Sequence, residues 1–129
     1  MRLLLDTCTF LWLYTDSDKV SKAAAAAFLH PENERFLSVV SAWEIATKYS
    51  LGKLALPRTP EYYIAEAREK SGVESLPLDE ESAFQSARLP RIHGDPFDRM
   101  LVAQALTEPM HLLTHDAALA AYSELVIVV

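Results

Sequence analysis

Cysteine, glycine and long apolar runs are all scarce in this sequence of 129 residues. The single cysteine, Cys8, excludes an internal disulfide and favours a reducing compartment, so we expect a cytoplasmic protein. Three glycines in a chain that is 50% hydrophobic argue against a disordered or fibrous protein. The apolar runs are too short to span a membrane, and Asp6 interrupts the apolar start where a signal peptide would continue. These features together predict a globular protein that is not attached to a membrane.

Net positive charge is also lacking, since the formal net charge is −6 and the pI is about 5.1. This balance disfavours a protein that coats nucleic acid nonspecifically, although a local basic rim remains compatible with it. A thiol nucleophile has little support, because no base that could activate Cys8 stands near it in the sequence.

Short apolar runs alternate with longer helical patterns, which predicts βαβ units and a parallel sheet. Most of these strands are apolar on both faces, so helices should cover the sheet on two sides. We therefore expect one α/β domain over residues 1–129, a three-layer α/β/α sandwich around a central, mostly parallel sheet. The predicted strands are Arg2–Leu5, Arg35–Val39, Val73–Leu76, His111–Thr114 and Leu125–Val129. The predicted helices are Thr9–Tyr14, Lys19–Leu29, Ala42–Tyr49, Pro60–Lys70, Glu80–Arg88 and Pro96–Leu106.

Four acids are expected to converge on one edge of this sheet. Asp6 and Asp116 each follow a strand, whereas Glu44 and Asp98 lie in the first turns of predicted helices. A helix that leads into a parallel strand begins at the edge where the strands end. This is the edge at which open α/β folds bind their ligands.

Each acid region also has a purely structural explanation. Ser41 and Glu44 match a capping box, and Asp95 can cap the helix that follows it. Asp6 and Asp116 can each cap a following segment as well. Taken singly, none of these acids distinguishes a helix cap from a ligand.

Taken together, four converging carboxylates would repel one another unless a cation lies between them. Oxygen ligands of this kind suit Mg²⁺ or Mn²⁺, whereas one cysteine and no HExxH motif give zinc little support. We interpret His93, His111 and His115 as rim or packing residues.

An acidic site that holds Mg²⁺ is suited to hydrolysing phosphate esters. Arg99 and Lys48 are the candidates from their positions for a cation that holds the scissile phosphate. Thr7 and Thr114 stand close to the acids and could hydrogen-bond a carboxylate or the attacking water.

Four blocks of the sequence resemble a known family. They are LLLDTCTFLWL, SAWEIATKYSLGKLALP, HGDPFDRMLVAQAL and LLTHDAALAAY. In this order and spacing they resemble the VapC-like PIN-domain ribonucleases of bacterial toxin–antitoxin systems, over essentially the whole chain.

The resemblance implies a PIN-like sandwich whose acids bind Mg²⁺ or Mn²⁺ and cleave RNA. The four acids of the family map onto Asp6, Glu44, Asp98 and Asp116. Asp95 is a candidate accessory residue, but we interpret it as the helix cap. Cys8 stands where similar sequences often have a histidine, a departure that touches no predicted metal ligand.

The resemblance also implies partners, namely an RNA substrate, a cognate antitoxin and a second copy of the chain. The antitoxin would dock a helix, and we expect Trp43, Tyr49 and Leu51 to help form its groove, with a core position as the alternative for Trp43. The RNA backbone could contact a basic rim formed by Lys22, Lys48, Lys53, Arg91 and Arg99.

Two other functions are alternatives to this one. A haloacid-dehalogenase-like phosphatase needs a second acid two residues after the first, but this position is Cys8. The alternative from another class is a PIN-like binding module that has lost catalysis and only binds a partner.

Overall fold

The computed structural model describes residues 1–15 and 17–129. In this part of the chain five parallel strands form one sheet in the order β3-β2-β1-β4-β5. The strands are β1 (Arg2–Leu5), β2 (Glu34–Ser38), β3 (Val73–Leu76), β4 (His111–Thr114) and β5 (Val126–Val128). All five predicted strands are present within two residues of their expected bounds. The predicted three-layer α/β/α fold is confirmed, and the sheet is parallel throughout.

Six α-helices and one short 3-10 helix connect and cover the strands. They are α1 (Thr7–Tyr14), α2 (Lys22–Leu29), α3 (Val39–Ser50), α4 (Pro60–Ser71), α5 (Glu80–Arg88), α6 (Pro96–Thr107) and the 3-10 helix Ala117–Ala121. Each of the six predicted helices has a counterpart among them.

Three helices begin where their caps lie rather than where the apolar pattern suggested. Helix α1 begins at Thr7 instead of Thr9, directly after its N-cap Asp6. Helix α2 begins at Lys22 instead of Lys19, because the Ser21 side chain accepts the Ala24 amide. Helix α3 begins at Val39, directly after β2, and Ser38 is its N-cap. The predicted capping box of Ser41 and Glu44 is therefore wrong.

Neighbouring residues of the central strands send their side chains to opposite faces of the sheet. Leu4 packs in a core cluster with Leu101 and Leu112, beneath α6. Leu5 packs in a second cluster with Phe10, beneath α1, α2 and α4. Consecutive apolar residues in β1 are needed because both faces of the strand are buried.

A buried polar residue ties the two helices that carry Glu44 and Asp98. The Gln104 side chain, on α6, accepts a hydrogen bond from the Ser38 hydroxyl at 2.5 Å. Its amide nitrogen donates to the Pro77 carbonyl at 3.1 Å. Because Ser38 is also the N-cap of α3, Gln104 holds the start of α3 against the middle of α6.

We expect Gln104→Leu to lower the free energy of unfolding by about 1–3 kcal/mol, because the Pro77 carbonyl and the Ser38 hydroxyl each lose a buried partner. Urea unfolding measures the effect. The control is Gln85→Leu, in a half-buried position of α5. Equal losses in the two variants would contradict the role given to Gln104.

Candidate active site at the carboxyl edge of the sheet

Asp6 follows β1 and is both a helix cap and the buried centre of the site. One carboxylate oxygen accepts the Thr9 amide at 2.7 Å and so caps α1. The other accepts a short hydrogen bond from the Thr114 hydroxyl, at the end of β4, and lies 3.4 Å from Nδ1 of His115. With 3% of its surface exposed, the Asp6 carboxylate depends on these donors for its solvation.

Glu44 is buried within α3 and is held by two donors. The Thr7 hydroxyl donates to Oε1 at 2.7 Å, and Lys48, one helical turn further along α3, donates to Oε2. The hydrogen bond to Glu44 raises the pKa of Lys48 above its ordinary value, in spite of partial burial. Thr7 therefore holds a carboxylate, one of the two roles predicted for it, and Lys48 lies at the site as expected.

Asp98 and Asp116 meet at the same edge, on either side of a histidine. Nε2 of His93 lies 2.9 Å from Oδ2 of Asp116 and 3.7 Å from Oδ2 of Asp98. These three residues offer ligand atoms within 4.8 Å of one another, a spacing that suits a single metal ion. His93, for which the sequence suggested a rim or packing position, lies in the site itself.

Asp116 is held by the chain on both of its oxygens. Oδ1 accepts the Ala118 amide at 3.0 Å and caps the 3-10 helix, and Oδ2 faces His93. Partial burial acts to raise the pKa of Asp116, but the Ala118 amide and His93 outweigh it and lower the pKa below its usual value. The Asp116 amide donates to the Thr114 hydroxyl at 3.0 Å, so Thr114 links Asp116 to Asp6.

Asp98 differs from the other three acids because no donor in the described part of the chain hydrogen-bonds its side chain. Burial raises its pKa to about 6, and the negative charges of Asp95 and Asp6 add to this effect. Asp95 is the N-cap of α6, since its carboxylate accepts the Phe97 and Asp98 amides. The predicted cap is thus confirmed, and Asp98 is free for another role.

The residues of this edge fit a hard divalent cation. The donor set consists mostly of carboxylate oxygens, which Mg²⁺ and Mn²⁺ prefer. Asp6 and Glu44 adjoin the group formed by His93, Asp98 and Asp116. The Thr114 hydroxyl bonds both the Asp6 carboxylate and the Asp116 amide, and Thr7, next to Asp6, donates to Glu44. A cation here would relieve the like-charge repulsion from Asp95 and Asp6, which adds to the effect of burial on the pKa of Asp98.

The structure does not place Arg99 for the phosphate contact that its position suggested. Its guanidinium donates to the backbone carbonyls of Ser86, Leu89 and Pro90 at distances of 2.8–3.2 Å. It also donates to the Tyr122 hydroxyl at 3.2 Å. Arg99 therefore ties the end of α5 and the following loop to α6.

Cys8 lies half-buried on α1 beside the acids. Burial raises the pKa of its thiol, and the charges of Asp6 and Glu44 raise it further. These surroundings keep the sulfur protonated, so they oppose its use as a nucleophile, as the sequence indicated.

The parallel α/β/α sheet with an acidic carboxyl edge places the protein among the α/β proteins that bind ligands where their strands end. A family model described as PIN domain matches residues 3–125, and the chain belongs to this family. A comparison with curated proteins gives no significant match.

Solved structures of other proteins share the fold at low sequence identity. VapBC2 from Rickettsia felis, bound to a DNA fragment from its promoter, is 15% identical, with a TM-score of 0.70 over 100% of this chain and 98% of that one. A toxin–antitoxin complex from Klebsiella pneumoniae is 16% identical, with a TM-score of 0.64 over 97% and 95% of the two chains. FitAcB from Neisseria gonorrhoeae is 16% identical, with a TM-score of 0.63 over 98% and 96%. The described part of the present chain has no helix of the length and apolarity that crossing a bilayer requires.

The raised pKa of Asp98 predicts how the stability of the metal-free protein depends on pH. In the unfolded chain this carboxyl ionises near pH 3.8, but in the fold only near pH 6. Its ionisation therefore costs stability progressively from about pH 4 to pH 6 and fully above it. In EDTA at pH 8, we expect Asp98→Asn to be more stable than the wild type by roughly 1–2 kcal/mol, a gain that shrinks towards pH 4.

Thermal and urea unfolding across this pH range would measure the difference. The control is Asp79→Asn at the N-cap of α5, where the hydrogen bond to Ser82 lowers the pKa of Asp79 and no gain at pH 8 is expected. An Asp98→Asn variant that is less stable than the wild type at pH 8 would show that Asp98 only supports its helix.

Proposed function

We propose that this chain is a metal-dependent endoribonuclease and the toxin component of a toxin–antitoxin pair, with residues 1–129 as its single PIN domain. The observation that carries the proposal is the meeting of four acids at the carboxyl edge, one of which, Asp98, accepts no hydrogen bond from the described residues. The PIN family assignment and the fold shared with toxin–antitoxin complexes support it.

In this proposal Asp6, Glu44, Asp98 and Asp116 hold Mg²⁺ or Mn²⁺. Such an ion supplies an activated water and neutralises charge on the phosphoryl oxygens. The chain itself keeps the carboxylates in place, since Thr114 holds Asp6 and Thr7 holds Glu44.

Lys48 is the accessory cation of the proposal, because 43% of its side chain is exposed beside the acids. It would meet a phosphate oxygen of the RNA, together with the exposed Lys22, Lys53 and Arg91. Neutralisation of the acids by a bound ion is what allows a chain of net charge −6 to accept a polyanion.

Asn at Asp6, Asp98 or Asp116 should lower RNA cleavage by orders of magnitude, because each change removes one negative ligand. Asn caps helices about as well as Asp, so the fold should survive at Asp6 and Asp116, and circular dichroism checks this. Cleavage is measured on structured RNA with Mg²⁺, with Mn²⁺ and with EDTA.

Asp79→Asn is the control for this series, since Asp79 is another helix cap, outside the site. Wild-type activity that survives EDTA would overturn the metal mechanism. A protein that cleaves no RNA but still binds its partner would be the catalytically inactive PIN-like binding module.

We propose a cognate antitoxin and a second copy of the chain as protein partners. The exposed apolar residues of α3 and the loop after it support the antitoxin interface: Trp43 is 61%, Tyr49 36% and Leu51 61% exposed. The alternative that Trp43 belongs to the core is wrong, since its ring packs edge-on against Phe97 at the surface.

Tyr49→Glu should weaken the complex with the protein encoded by the adjacent reading frame about tenfold or more, because a charge would replace an apolar contact. Titration calorimetry measures the affinity, and sedimentation the oligomeric state. Tyr62→Glu is the matched control, an exposed tyrosine on α4. Loss of affinity in the control alone would place the antitoxin on α4 instead.

A further inference from the structure

His93 is the residue at the site that the four-acid assignment leaves without a role. Its ring lies between Asp98 and Asp116, with Nε2 directed at both carboxylates. An imidazole in this position can serve either as a metal ligand or as a hydrogen-bond donor to a ligand. The opposite side of the ring distinguishes the two roles.

The backbone amide of Asp95 donates a hydrogen bond to Nδ1 of His93 at 3.1 Å. A backbone N–H cannot act as an acceptor, so Nδ1 must present its lone pair. In the neutral ring the proton is then on Nε2, which makes Nε2 a donor to Asp116 at 2.9 Å. A histidine that binds a metal through Nε2 has the opposite arrangement, with its proton on Nδ1 and an acceptor facing it.

The segment that carries the ring is itself anchored. The His93 amide donates to the Tyr122 hydroxyl at 2.9 Å, and its carbonyl accepts from Arg99 at 3.5 Å. The Asp95 side chain caps α6 through its carboxylate while its amide faces the ring. The same residue therefore sets the start of the helix and the tautomer of the histidine.

We propose that His93 is a positioning residue that holds Asp116 through its Nε2–H group and is not itself a metal ligand. This inference rests on the proposed function in one respect only, the assignment of Asp116 as a ligand. A donor to Oδ2 of Asp116 fixes the orientation of this carboxylate and leaves its remaining lone pairs free to face a cation.

The tautomer can be tested without metal or RNA. Long-range ¹H–¹⁵N correlation spectra of the metal-free protein at pH 8 should show His93 with its proton on Nε2. The His93 signals are assigned by their absence from the spectrum of His93→Gln. A proton on Nδ1 would overturn the proposal, whatever the outcome of any cleavage assay.

The metal contact is tested by Mn²⁺ binding, followed by electron paramagnetic resonance. His93→Ala should weaken Mn²⁺ binding about 10–100-fold, the usual cost of losing such a partner. His93→Gln, whose side-chain amide can also donate to Asp116, should recover most of the affinity. His111→Ala is the control, since His111 is the first residue of β4, at the end of the strand opposite to the site.

Pulsed measurements on bound Mn²⁺ should show no coupling to a directly coordinated imidazole nitrogen in the wild type. A coupling that disappears in His93→Gln would make His93 a ligand and overturn the positioning role. Unchanged affinity in His93→Ala would overturn it as well. A wild type that binds no Mn²⁺ would instead refute the proposed metal site, and the tautomer measurement keeps the two failures distinguishable.

Discussion

Repulsion among carboxylates is the constraint on which the rest of this site depends. The fold brings Asp6, Glu44, Asp98 and Asp116 to one edge of the sheet, where burial makes each charge costly unless a donor solvates it. Three of the four have such donors. Asp6 accepts hydrogen bonds from Thr9 and Thr114. Glu44 accepts them from Thr7 and Lys48. Asp116 accepts them from Ala118 and His93. Asp98 has no such donor among the described residues, and its burial, together with the charges of Asp95 and Asp6, raises its pKa.

Helix capping and a position in the acidic cluster, which the sequence presented as alternatives, are combined in this structure. A carboxylate has about four lone-pair sites, so one oxygen of Asp6 or Asp116 can cap a helix while the other faces the site. At the start of α6 the two tasks are divided between Asp95 and Asp98. Capping also restrains the rotamers of these acids, and this preorganises the site.

The fold and the meeting of the acids could be predicted from sequence because they follow from strand order and hydrophobic pattern. The role of Arg99 could not, since the carbonyls that bind it belong to α5 and the following loop, and their direction is a property of the folded backbone. His93 was misplaced for a similar reason. Only three-dimensional packing shows that its ring reaches Asp116, 23 residues further along the chain. The cap of α3 was missed because Ser38 lies in an apolar stretch that reads as strand alone.

The DPFDR segment shows how a carboxylate that is repelled by its neighbours can be held at the start of a helix. Asp95 caps α6, Arg99 fastens the preceding loop, and both leave Asp98 in the first turn of the helix. The N-terminus of a helix carries partial positive charge, which stabilises a nearby anion by about 0.3–1 kcal/mol. This offsets part of the repulsion that Asp98 meets from Asp95 and Asp6, and the remainder is what a bound cation can relieve. The helix compensates the charge of Asp98 only in part, and no hydrogen bond from the described residues adds to it. Of the four acids, Asp98 therefore has the strongest tendency to bind a cation.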